Sequence, residues 1–264
     1  MSVNLIPNSN QIRAELDALI NTCNRQVLGN PQAVKFALTA FLAGGHLLIE
    51  DLPGLGKTTL ARTLAQALGL NFKRVQFTTD LLPSDIIGVS IFEPEKRHFE
   101  FHPGAIFTSI LLADEINRAP PRTQSALLEA MAEHQVSVDG MTHTLPEPFF
   151  VIATQNPTDL SGTFPLPDSQ MDRFTLRISM GYIPHAQERE LLKNSSQINK
   201  KTVTPCFNTE QVLHLRELVA QLHCSETLID YVQRLISQSR QFSGIRVGLS
   251  PRAGISLLAA SKAH

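Results

Sequence analysis

Residues 51–59 read Asp51-Leu52-Pro53-Gly54-Leu55-Gly56-Lys57-Thr58-Thr59, directly after the apolar run Leu47-Leu48-Ile49. A strand that breaks into a glycine-containing turn, then Lys-Thr, then a helical pattern is the layout of a phosphate-binding loop. Gly54 and Gly56 let successive backbone N–H groups turn inward on an anion, and the helix that follows adds its positive end. In that geometry Lys57 lies against the β- and γ-phosphates, and the Thr58 hydroxyl is available to Mg2+. The strict pattern asks for glycine where this chain has Asp51. Aspartate tolerates left-handed backbone better than most residues, so the turn remains feasible. Downstream, Leu60, Leu64 and Leu68 fall at helical spacing and Gly69 supplies a stop.

Length and composition set outer bounds. At 264 residues the chain suits one large or two smaller domains, and 42% apolar residues rule out wholesale disorder. No apolar run approaches the ~18 residues of a membrane span, and the first residues lack the blocks of a secretory signal. A net charge of −1 gives no support to a generic attraction for nucleic acid. Cys23, Cys206 and Cys224 are scattered without metal-site or disulfide-framework spacing, which fits a reducing cytoplasm.

A weak helical pattern over residues 12–23 precedes a turn at residues 27–30 and a second helix at residues 31–42. Beyond the loop, residues 74–77 read as a strand and residues 79–83 as a polar loop. Alternation around Phe99 and Phe101 predicts a β-hairpin over roughly residues 88–102, turning near Pro94. His98 and His102 are four apart, but four strand residues span roughly 13 Å, too far to chelate one ion easily.

Residues 110–115, Ile-Leu-Leu-Ala-Asp-Glu, are the second decisive segment. A buried strand that delivers two carboxylates at its C-terminal end puts them where a doubly wound sheet has its ligand site. Asp114 is then placed to hold Mg2+, and Glu115 to polarise the water that attacks a γ-phosphate. Pro120-Pro121 opens a helix with Leu127, Leu128 and Met131 on its apolar side. Residues 135–144 form a second hairpin about Asp139-Gly140, a favoured two-residue turn. The apolar run at residues 149–154 delivers Gln155-Asn156 to the same sheet edge, where the Asn156 amide can hold the attacking water.

After residues 174–178 the composition turns helical. Asn208 with Gln211 forms a capping box, Ser225 opens a helix with Leu228, Ile229, Val232, Leu235 and Ile236 inward, and Ser250-Pro251 caps a third. Arg252 therefore stands near a helix start. With no exit signal before His264, the helical part is expected to continue beyond it.

The assembled set resembles the MoxR family of AAA+ ATPases, from about Val27 onward. The most specific stretches are residues 113–121 (Ala-Asp-Glu-Ile-Asn-Arg-Ala-Pro-Pro), 127–131 (Leu-Leu-Glu-Ala-Met), 153–157 (Ala-Thr-Gln-Asn-Pro) and 249–253 (Leu-Ser-Pro-Arg-Ala). The resemblance implies an α/β P-loop NTPase fold, a parallel sheet flanked by helices with two β-hairpin insertions, plus a small all-α lid. It divides the chain into a nucleotide-binding domain at 1–183 and an incomplete lid at 184–264. The Walker A loop is then Pro53, Gly54, Leu55, Gly56, Lys57, Thr58 and Thr59, and Walker B is Asp114 with Glu115. Asn156 falls at the first sensor, Arg252 at the second, acting in cis, and Arg173 at the arginine finger offered to a neighbouring subunit. Further implications are ATP and Mg2+ as ligands, a hexameric ring, protein clients and a partner carrying a von Willebrand A domain.

Competing readings are a DNA motor, a magnesium-chelatase-like motor subunit and a nucleotide-gated binding module. A DNA motor should carry Lys or Arg on its second hairpin, and residues 136–144 contain neither.

Overall fold

Five strands make the central sheet, and the inner three are apolar nearly throughout, as strands covered on both faces must be. In the computed structural model, which describes residues 9–157, 162–193 and 203–264, they form one parallel sheet. The strands are β1 (Leu47–Glu50), β2 (Phe72–Gln76), β5 (Ile110–Asp114), β8 (Phe150–Gln155) and β9 (Leu176–Ile178). Their spatial order is β2-β5-β8-β1-β9. Two antiparallel hairpins stand apart from it, β3 (Gly88–Glu93) with β4 (His98–Pro103) and β6 (Gln135–Val138) with β7 (Met141–Thr144). The first agrees with the alternation read above and the second with the Asp139-Gly140 turn. Asp139 and Gly140 each take positive φ, 50° and 78°, as a tight hairpin turn requires.

Ten α-helices and one 3-10 turn (Ile116–Arg118) complete the described residues: α1 (Ser9–Asn24), α2 (Pro31–Leu42), α3 (Lys57–Ala67), α4 (Pro83–Ile87), α5 (Pro121–Glu133), α6 (Asp168–Met171), α7 (His185–Lys193), α8 (Thr209–Gln221), α9 (Glu226–Gln241) and α10 (Pro251–Ala263). The expected α/β architecture with two hairpin insertions is present. Helix α2 starts where its local chemistry says it should, because Asn30 accepts from the Ala33 amide and Pro31 occupies the first turn. The Asn208–Gln211 capping box and the Ser225 and Ser250 caps also form. Two details differ from expectation. At the end of the polar loop read over residues 79–83, residues 83–87 form the short helix α4, which that reading did not include, started by Pro83 and by Asp85, which accepts from the Leu82 amide. Strand β2 begins at Phe72 because it pairs with β5 from Ile110 onward.

Successive residues of each strand enter opposite cores, as the pleat dictates. Leu47, Ile49, Ile110, Leu112, Phe150 and Ile152 pack with α1, α2, α3 and α8. Leu48, Leu111, Ala113, Val151 and Ala153 pack with α5 and its surroundings. Helix α9 buries less than its pattern suggests, since Val232 is buried but Ile229 and Leu235 are exposed. Its described neighbour is α10, where a side chain at Gly254 would strike Ile236. Among the described residues no helix is long and apolar enough to cross a membrane.

His46 sits in the sheet's base as a neutral ring. Its Nδ1 accepts from the Val151 amide at 3.1 Å, and its Nε2 lies 3.2 Å from the Met131 carbonyl. Burial pushes its pKa down from 6.5 to about 4, against the Met131 bond and with help from His134 and Arg216. The unfolded chain therefore takes up a proton near pH 6.5 that the folded one refuses until about pH 4. Stability from this group is complete above pH 6.5 and falls as pH drops toward 4, by about 3 kcal/mol in all. Urea unfolding of wild type and His46→Gln across that range should show a steeper loss in the wild type. Equal slopes would remove the assignment.

Candidate ATP site

The carboxyl ends of β1, β5 and β8 converge on a cavity of about 340 Å3, the place where an open parallel sheet receives a ligand. Its wall includes Pro53, Gly54, Gly56, Lys57, Thr58 and Thr59 from the loop, Asp114 and Glu115 after β5, and Asn156 after β8. Every one of these was expected from sequence. Leu55 belongs to the loop but does not line the cavity.

Gly54 and Gly56 take φ of 85° and 88°, and a Cβ at Gly54 would meet nothing within 4 Å. The loop is thus bent by backbone that only glycine adopts cheaply, around open space. Helix α3 starts directly from it with Gly56 at the cap and no side chain on its first amides. Such a cradle suits a phosphate. Lys57 is buried and donates to the Asp51 carbonyl at 2.6 Å. Burial lowers its pKa, opposed by the carboxylates of Asp114, Asp51 and Glu115.

Asp51 itself departs from the reading given above. Its φ is not among the positive values, so the backbone has no need of glycine there. The side chain has a separate use. Oδ2 accepts from Ser179 Oγ at 2.9 Å, the Met180 amide at 2.6 Å and the Gly181 amide at 2.7 Å, while Oδ1 accepts from the Leu52 amide at 3.0 Å. Burial alone would raise this carboxyl's pKa, but the bonds from Gly181, Ser179, Leu52 and Met180 together hold it below the ordinary value.

The two acids after β5 are locked in different ways. Asp114 Oδ1 accepts from the buried Thr154 hydroxyl at 2.6 Å, and that hydroxyl accepts from the Glu115 amide at 2.9 Å. Asp114 Oδ2 pairs with Arg74 at 2.7 Å. Glu115 has left-handed backbone, φ 56° and ψ 50°, which costs a non-glycine residue roughly 1–3 kcal/mol and is tolerated mainly at functional sites. Its Oε2 accepts from Gln76 Nε2 at 2.9 Å and pairs with Arg118 at 3.0 Å. Arg74, Gln76, Arg118 and Thr154 were not singled out from sequence. The strand register carried the signal, since Gln76 lies opposite Asp114 and Arg74 shares Gln76's side of β2.

Two expected residues lie elsewhere. Arg173 precedes β9, near the start of the sheet, where it donates to the Leu128 carbonyl at 2.8 Å. Its neighbour Thr175 contacts the sheet's opposite rim too, bonding through its amide to the His46 carbonyl. Asp172, the acid next to Arg173 in sequence, accepts from Ser250 Oγ at 2.7 Å. That bond ties the start of α10 to the Arg173 side, and Arg246 reinforces it by pairing with Asp168 at 2.9 Å. Arg252, two residues after Ser250, is consequently not in the cavity wall. Packing of α10 against α2 carries it to the rim that holds Arg173.

A phosphate cradle, adjacent Asp and Glu after one strand and Asn after its neighbour, on this sheet order, define a P-loop ATPase of the AAA class. The family model described as "ATPase family associated with various cellular activities (AAA)" matches residues 46–176. The chain is 43% identical to the uncharacterized protein YeaC of Bacillus subtilis (strain 168), over 94% of this chain and 78% of YeaC. It is 38% identical to Chaperone MoxR1 of Mycobacterium tuberculosis (strain ATCC 25618 / H37Rv), over 94% of this chain and 68% of that protein. A crystal structure of an ATPase candidate from Cytophaga hutchinsonii superposes with a TM-score of 0.86 at 38% identity, covering 95% of this chain and 79% of that one. The chain belongs to the MoxR family of AAA+ ATPases.

Proposed function

We propose that this chain hydrolyses ATP with Mg2+ as a ring of identical subunits, hexameric, and uses the cycle to remodel protein clients. The observation that carries the reading is the cavity itself, where Lys57, Thr58, Asp114, Glu115 and Asn156 meet at one sheet rim. Lys57 is one bond from the loop and is the group to take the β- and γ-phosphate charge. Thr58 and Asp114 are the pair to hold the metal. Asp114 already carries a cation on Oδ2, the Arg74 guanidinium, so its donor chemistry fits one. Mg2+, when bound, neutralises charge developing on the transferred phosphoryl group. Glu115 accepts the proton of the attacking water, and Asn156 orients that water.

Arg173 and Arg252 belong to the next subunit's site in this proposal. Their place at the far rim supports delivery in trans: β1 alone, four residues long, separates the rims by roughly 13 Å. Residues 1–183 then form the nucleotide-binding domain and 184–264 a helical lid. The name Chaperone MoxR1 supports a protein client, and a partner with a von Willebrand A domain is proposed with it. The absence of Lys and Arg from residues 135–144 argues against DNA as the client. A cytoplasmic setting is proposed, consistent with three unpaired cysteines.

Lys57→Ala tests the cradle. Loss of one charge-assisted bond to phosphate should weaken fluorescent-ATP binding roughly 10–100-fold. Affinity equal to wild type, measured by equilibrium titration, would contradict the proposal.

A further inference from the structure

Asp51 is a node to which three separate segments attach. Its amide donates to the Gln155 carbonyl at 3.2 Å, at the end of β8 and next to Asn156. Its carbonyl accepts from Lys57 Nζ at 2.6 Å. Its carboxylate takes the Leu52 amide on one oxygen and Ser179, Met180 and Gly181 on the other. Two consecutive amides aimed at one anion form a nest, and the chain leaves it through Gly181, at φ 66°. The nest is filled by the protein's own carboxylate, buried beneath the loop.

The segment so held is the connection from β9 to α7, hence to all the helices that follow. Its other side is held as well. Asn30, the cap of α2, donates to the Met180 carbonyl at 2.7 Å, and a side chain at Gly29 would meet Ile183 at 3.1 Å. One residue therefore joins the phosphate lysine, the Asn156 strand and the entry to the helical half. A glycine there would keep the turn, because the backbone at Asp51 is not left-handed, but would lose the joint.

We propose that Asp51 is a positioning residue that locks residues 179–181 onto the phosphate loop, so that movement of Lys57 toward a phosphate is passed to the helical half. This inference rests on the ATPase reading above. It explains why the strict motif's glycine can be absent, and it predicts that restoring glycine harms the protein.

The test compares wild type, Asp51→Asn and Asp51→Gly in two measurements. The first is amide hydrogen exchange at Met180 and Gly181 in nucleotide-free protein, which does not depend on ATP chemistry. Exchange should quicken at least about tenfold in Asp51→Gly, with Asp51→Asn intermediate, since a neutral acceptor bonds about half as strongly. The second is ATP titration of binding and turnover. Fluorescent-ADP affinity should change less than about threefold in Asp51→Gly, because residues 54–59 keep their cradle, while kcat falls about tenfold. Unchanged exchange in Asp51→Gly, or turnover equal to wild type in that variant, overturns the proposal. If Asp51→Gly fails to fold, Asp51→Asn carries both comparisons. Wild type that binds no nucleotide overturns the ATPase reading and the coupling with it, whereas the exchange arm judges the lock alone.

Discussion

Glu115→Gln is expected to bind ATP as tightly as wild type and to hydrolyse it at least about 10²-fold more slowly. A positioned general base contributes typically 10²–10⁴-fold, and an amide of the same shape cannot accept the proton. The backbone at this position has its own anchor, the 2.9 Å bond from the Glu115 amide to Thr154, so the strained turn survives the substitution. Gln76 and Arg118 hold the carboxylate beside the cavity rather than burying it in the core. Fluorescent-ATP titration and steady-state phosphate release measure the two halves of the expectation. Turnover within about threefold of wild type would take Glu115 out of the mechanism.

Arg173→Ala is expected to lose turnover by 10³–10⁵-fold, the range for an arginine supplied to phosphoryl transfer, with nucleotide affinity kept. The magnitude separates two roles. Arg173 also donates to the Leu128 carbonyl, and losing that bond costs roughly 1 kcal/mol of stability. A thousandfold rate loss is about 4 kcal/mol at the transition state, far beyond what the lost tie explains. Thermal unfolding that changes little while phosphate release collapses would assign the loss to catalysis. In the wild type, activity per subunit should rise with protein concentration as rings form, and in Arg173→Ala it should stay flat.

Local chemistry was legible in the chain wherever neighbours in sequence are neighbours in space. The glycine loop, the Asp-Glu strand end, the Asp139-Gly140 turn and the caps at Asn208, Ser225 and Ser250 all depend on residues a few positions apart. Helix α4 escaped notice because five residues give too little periodicity to see. What stayed hidden were partners set by tertiary packing. Asp51 reads as a tolerated departure from a motif until residues about 130 positions later arrive on its carboxylate. Arg252 reads as a residue near a helix start, which it is, but the Ser250–Asp172 bond and the seat of α10 decide which rim that helix meets. Gln76 and Arg74 lie on an edge strand whose exposed side looks like ordinary polar surface until its register with Asp114 is known.

Mixing two inactive variants gives the most direct check on the two-subunit site. Glu115→Gln keeps the guanidinium and lacks the base, while Arg173→Ala keeps the base and lacks the guanidinium. Co-assembled in equal amounts, they should recover roughly a quarter of wild-type phosphate release, because about one interface in four pairs an intact base with an intact arginine. A mixture no more active than either variant alone would contradict the claim that one copy completes the other's site.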